Sequence, residues 1–145
     1  MPHYMQKKTM FMVGLGAFLL VIIFLIIPKK PMLHFRTDIP MADAYRDCIK
    51  ASRPQQEKGD CLKDLGDHTG RNSTPAEIDA IIASLTQSEE LAWCHEFLHY
   101  AGWGLYKKTK NMSDAFLEAN SRCDSGMFHG VVEEYIREAS EGKNP

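Results

Sequence analysis

No aspartate or glutamate occurs before Asp38, and all 19 of them lie from that residue onward. The chain also lacks a basic stripe and any interleaving of aromatic with basic residues. Nucleic acid is therefore excluded as a partner. No CxxC pair, internal repeat or low-complexity segment is present. No stretch alternates apolar and polar residues over a strand's length, so a sheet is not expected. Thirteen of the 17 lysines and arginines and all of the acids lie in residues 31–145, which leaves that part with a net charge of −6. A balance of that size suits a soluble domain.

One long stretch has no charge at all. Met10 to Ile27 is 18 residues of MFMVGLGAFLLVIIFLII, at the short end of what spans a bilayer as a helix. Ile-Ile-Pro-Lys-Lys follows, with no small-x-small cleavage site, so an uncleaved anchor is expected. Lysines flank the span on both sides and do not decide its orientation. The four cysteines all lie downstream. An even number in a small domain fits two disulfides and an oxidising compartment. The expected organisation is a short cytoplasmic N-terminus at 1–9, a transmembrane anchor at 10–27 and a linker at 28–39. An extracytoplasmic domain at 40–140, periplasmic or extracellular, and a tail at 141–145 complete it.

That domain reads as all-α, a small disulfide-stapled domain of five or six short helices behind one transmembrane helix. Met41, Ala44, Tyr45 and Cys48 recur at i, i+3, i+4 and i+7, which predicts a helix over 40–52. Gln55 to Leu65 is a second, with Gly66 as its stop, and Asp67 to Ser73 is read as a turn. Thr74-Pro75-Ala76-Glu77 is a capping box opening a helix with Ile78, Ile81, Ile82 and Leu85 on one face. A helix entered near Ser88 runs to about Tyr106. Ser113 caps a short one, and the last covers Gly126 to Ala139. Cys48 and Cys61 would face each other across the first hairpin.

The chemistry centres on His95-Glu96-Phe97-Leu98-His99, an HExxH pentapeptide. Histidines four apart share a helix face, about 40° apart in projection, where two neutral imidazoles can take one metal ion. With His95 at zero, Phe97, Ala101, Cys94, Leu105, Leu98, Leu91 and Gly102 form an apolar arc, and both histidines sit on its rim. The last helix repeats this placement. With His129 at zero, Val131, Tyr135, Phe128, Ala139, Val132 and Ile136 fill the same arc, and His129 and Glu133 sit on the rim. Packing the two arcs together would gather His95, His99, His129 and Glu133 into a tetrahedral set suited to Zn²⁺. Iron and copper also accept such a set. A Cys94–Cys123 disulfide would tie the two helices. The alternative, either cysteine as a ligand, conflicts with the roughly 100° between neighbouring side chains on a helix.

The pentapeptide resembles that of the zincin metallopeptidases, in which the glutamate activates metal-bound water. His95-Glu96-x-x-His99-x-x-Gly102 is similar to the start of the metzincin motif, whose third ligand would fall on Leu105. The gluzincin aminopeptidase pattern places a glutamate at Glu118. That resemblance implies His95, His99 and Glu118 as zinc ligands and Glu96 as the base. Three functions follow as expectations. The first is a membrane-anchored metal-binding or accessory subunit of a membrane system. The second is a small zinc-dependent hydrolase, a peptidase. The third is a metal-free structural subunit contacting partner membrane proteins.

Overall fold

A computed structural model describes Phe35, residues 38–50 and residues 52–143. The expected N-terminus at 1–9, the anchor at 10–27 and most of the linker lie outside the described residues. Among the described residues no helix is long and apolar enough to cross a membrane.

The described part is all-helical. Seven helices run in the order α1 Met41–Ile49, α2 Gln55–Asn72, α3 Pro75–Ala83, α4 Ser88–Ala92, α5 Cys94–Thr109, α6 Met112–Glu118 and α7 Arg122–Ser140. Five or six were expected, and the extra one comes from a break at Trp93. That residue caps α4 and opens α5. Thr74 and Glu77 form the capping box of α3, with Pro75 in its first turn. α6 is capped by Asn111, whose side chain accepts from the N–H groups of Ser113 and Asp114, not by Ser113.

α5 is the middle of the domain, with α2 packed along one side and α7 along the other. Its apolar residues Phe97, Leu98, Ala101 and Leu105 are buried with Tyr45, Leu62, Leu65 and Val131. Each large side chain removed from water in this way contributes about 1.5–3 kcal/mol. Cys48 bridges to Cys61 with Cα atoms 5.4 Å apart. Cys94 bridges to Cys123 at 5.7 Å.

Two expectations fail for the same reason. Gly66 does not stop α2, which continues through the expected turn to Asn72. The glycine is buried because α5 passes over it. A Cβ there would strike the Phe97 carbonyl and Tyr100, and one at Gly70 would strike the Ala101 carbonyl. Thr69 is buried too, its hydroxyl donating to the Leu65 carbonyl at 2.8 Å.

The apolar arc of α7 is not what packs on α5. Val132, Tyr135 and Ile136 are exposed. The buried face is Gly126, Met127, Gly130, Val131, Glu134 and Glu138. Two glycines allow the backbones to approach closely. The two carboxylates are paired, Glu134 with Arg137 and Glu138 with Lys110.

A polar knot holds α1 and α3 near the start of α4. Glu90 accepts from the backbone N–H groups of Thr86 and Gln87 at 2.8 and 3.0 Å and from Arg46 at 2.7 Å. Arg46 also donates to the Ser84 carbonyl at 2.9 Å. The Tyr45 hydroxyl donates to the Glu90 carbonyl.

Candidate metal centre

The crossing of α5 and α7 is set by glycine. A Cβ at Gly126 would fall on the His95 carbonyl, one at Gly130 on the His99 carbonyl, and one at Gly102 on the Met127 carbonyl. The backbone of α7 is thus pressed against the residues that carry the HExxH histidines. His129 is next to Gly130 and Glu133 is one turn further, so both come to the same edge.

The imidazoles of His95 and His129 have ring centres 5.5 Å apart, and those of His95 and His99 are 6.1 Å apart. Two imidazoles on one tetrahedral zinc, with Zn–N of about 2.0–2.1 Å, have ring centres about 5 Å apart. His99 Nε2 lies 3.0 Å from Glu133 Oε2. The four residues expected to form a site are therefore neighbours. Among the described residues, however, no three His, Cys, Asp or Glu side chains already stand in coordinating positions.

His95 has a fixed orientation. Its Nδ1 lies 3.0 Å from the carbonyl of Cys123. A carbonyl only accepts, so Nδ1 carries the proton and a neutral ring keeps its lone pair on Nε2. Metal-binding histidines commonly use their second nitrogen in this way. The carbonyl comes from a turn in which Cys123, Asp124 and Ser125 all have left-handed backbone angles, with φ of 51°, 55° and 60°. Each costs roughly 1–2 kcal/mol. The disulfide to Cys94, the neighbour of His95, holds the turn in place.

Burial, the largest influence, pushes the pKa of His99 below the ordinary 6.5, reinforced by His95 and His129 and opposed by Glu133 and Glu96. A ring that stays neutral is the form a metal binds. Trp103 stands beside it, ring centres 5.9 Å apart. The Trp103 indole Nε1 is buried with no hydrogen-bond partner.

Glu96 accepts a hydrogen bond from the Tyr100 hydroxyl at 2.7 Å and lines a cleft on the α2 side of α5. Burial, then the hydrogen bond to Glu96, raises the pKa of that phenol well above 10. Glu118 pairs with Lys108 at 2.7 Å. Lys108 is nine residues beyond His99, about 13 Å along the helix axis. The structure thus gathers His95, His99, His129 and Glu133, and leaves Glu118 toward the far end of α5. The residues around Glu96 were not singled out from sequence, although Tyr100 stands four residues on, the spacing of helical neighbours.

No protein-family model, curated protein or solved structure matches the chain.

Proposed function

We propose that the protein is a membrane-anchored extracytoplasmic subunit that binds a transition-metal ion, zinc by default, through His95, His99, His129 and Glu133. The anchor is the apolar stretch Met10 to Ile27, and the domain beyond it serves a membrane system as a metal-binding or accessory part. The observation that carries this reading is the meeting of both rim pairs at one helix crossing, with ring spacings of 5.5 and 6.1 Å. The Nδ1 anchor on His95 and the desolvated ring of His99 support it.

Four protein ligands leave no open position for a reactive water, and Glu96 lies with Tyr100 in the neighbouring cleft. Both points favour binding over hydrolysis. The test is metal analysis of the purified full chain and of single variants. We expect one equivalent in the native protein and its loss in His99→Ala and His129→Ala. Glu96→Gln and Glu118→Gln should retain it. Loss in Glu118→Gln with retention in His129→Ala would establish the gluzincin-like set instead, and peptidase activity would then be sought. Absence of metal from every form would leave the metal-free partner-binding subunit.

A further inference from the structure

The cleft beside α5 has its own chemistry. Its volume is about 570 Å³, within the range of small-ligand sites. Gln55, Gln56 and Asp60 line it from α2, and Trp93, Glu96 and Tyr100 line it from the α5 side. Two carboxylates, two aromatic rings and two amides face one space, and no lysine or arginine is among its lining residues.

We propose that this cleft binds an organic cation, a guanidinium group above all. A planar guanidinium offers five N–H donors and stacks on aromatic faces. The Tyr100 hydroxyl takes Glu96 Oε1, leaving Oε2 as an acceptor. Gln56 Nε2 stands 3.5 Å from Asp60 Oδ2, and the carboxylate carries a second acceptor oxygen, Oδ1. Amide oxygens of Gln55 and Gln56 add acceptor capacity. The fold already uses Trp93 in this way: the ammonium of buried Lys58 stands 5.9 Å from its ring centre and 3.7 Å from Glu89. The domain's net charge of −6 also draws cations toward the cleft. Gly59 leaves the cleft floor open, since a Cβ there meets nothing within 4 Å. The inference is independent of a metal at His95 and goes beyond it.

The test follows the indole N–H resonance of Trp93 in the full chain, held in uncharged detergent. Three probes are added: acetyl-Gly-Arg-Gly-amide, the same peptide with citrulline for arginine, and ethylguanidinium. Citrulline keeps the planar shape and removes the charge. We expect a saturable shift with the arginine peptide and none with the citrulline peptide at equal concentration. Asp60→Asn and Glu96→Gln should each weaken binding about two- to fivefold, and Trp93→Leu, read by peptide anisotropy, should do so to a similar degree of about two- to fivefold. Gly59→Met, which fills the cleft without removing a charge, should abolish it. An ethylguanidinium response equal to the peptide's assigns the site to the free head group, and a response to the peptide alone assigns it to a chain-borne arginine. No saturable shift, an equal citrulline response, or indifference to Gly59→Met overturns the proposal. Repeating the titration with chelator present separates it from the metal reading, since the guanidinium response is expected without any metal.

Discussion

His95 Nδ1 stands 3.0 Å from the carbonyl of Cys123, the residue whose sulfur is bonded to the neighbour of His95 in sequence. The ring, the strained turn and the disulfide therefore form one closed loop of contacts. Cutting the loop at its covalent link affects both stability and the orientation of the ring.

Replacing Cys94 and Cys123 together by serine opens a loop of sequence separation 29. Chain entropy puts the cost near 3–4 kcal/mol, measurable by urea unfolding. The loosened carbonyl should also weaken metal binding about 10–100-fold, read by competition with a chromophoric chelator. An unchanged affinity would show that the carbonyl does not orient His95.

The glycines of the α5 crossings differ sharply from the other helical glycine, Gly59. Gly130→Ala drives a methyl group into the His99 carbonyl, and Gly70→Ala drives one into the Ala101 carbonyl. Each should lose about 1–3 kcal/mol or more from overpacking. At Gly59 a Cβ meets nothing within 4 Å. Gly59→Ala should therefore gain about 0.5–1 kcal/mol of helix stability. Thermal melts of the three variants check the contrast. A stable Gly130→Ala protein would mean that α7 lies further from α5.

Glu90 supplies a pH dependence. The backbone N–H of Gln87, the Arg46 side chain and the N–H of Thr86 lower its pKa from 4.5 to about 2. Between those values the unfolded chain binds the proton that the folded chain refuses. Stability from this group is present above about pH 4.5 and is lost as pH falls toward about 2. Glu90→Gln should be less stable at neutral pH and lose less on acidification over that window. Parallel denaturation curves at pH 7 and pH 3 decide it.

The topology reading predicts that a membrane-impermeant thiol reagent labels none of the four cysteines in native cells before reduction. Labelling that requires lysis but no reductant would place the domain in the cytoplasm.

Much of the helical organisation is legible in sequence because it rests on local chemistry. Thr74, Pro75 and Glu77 announce α3, and Met41, Ala44, Tyr45 and Cys48 announce α1. The spacing of His95 from His99, and of His129 from Glu133, marks each pair as sharing one helix face. What sequence hides are contacts made by residues with no side chain. Gly66 reads as a helix stop because its distant partner, the Phe97 carbonyl, leaves no local trace. The face of α7 is misjudged for the same reason. A hydrophobic wheel favours Val132 and Ile136 over Gly126 and Gly130, yet the two glycines are buried and Ile136 is 58% exposed. Glu96 reads as a base because HExxH carries that role elsewhere; its hydrogen bond with Tyr100, four residues on in the same helix, is a neighbour contact that the motif does not announce.

The helix bearing half of the candidate metal site mixes its buried face, setting Met127 and Val131 beside two glycines and two paired carboxylates, and turns Val132, Tyr135 and Ile136 outward. Detaching it would bare only those two large apolar side chains and the surface they cover, and would also part the ion pair of Glu134 with Arg137. Local opening at α7 should then show a heat-capacity change and a denaturant dependence smaller than those of global unfolding. Acid, which discharges Glu134, should favour that opening.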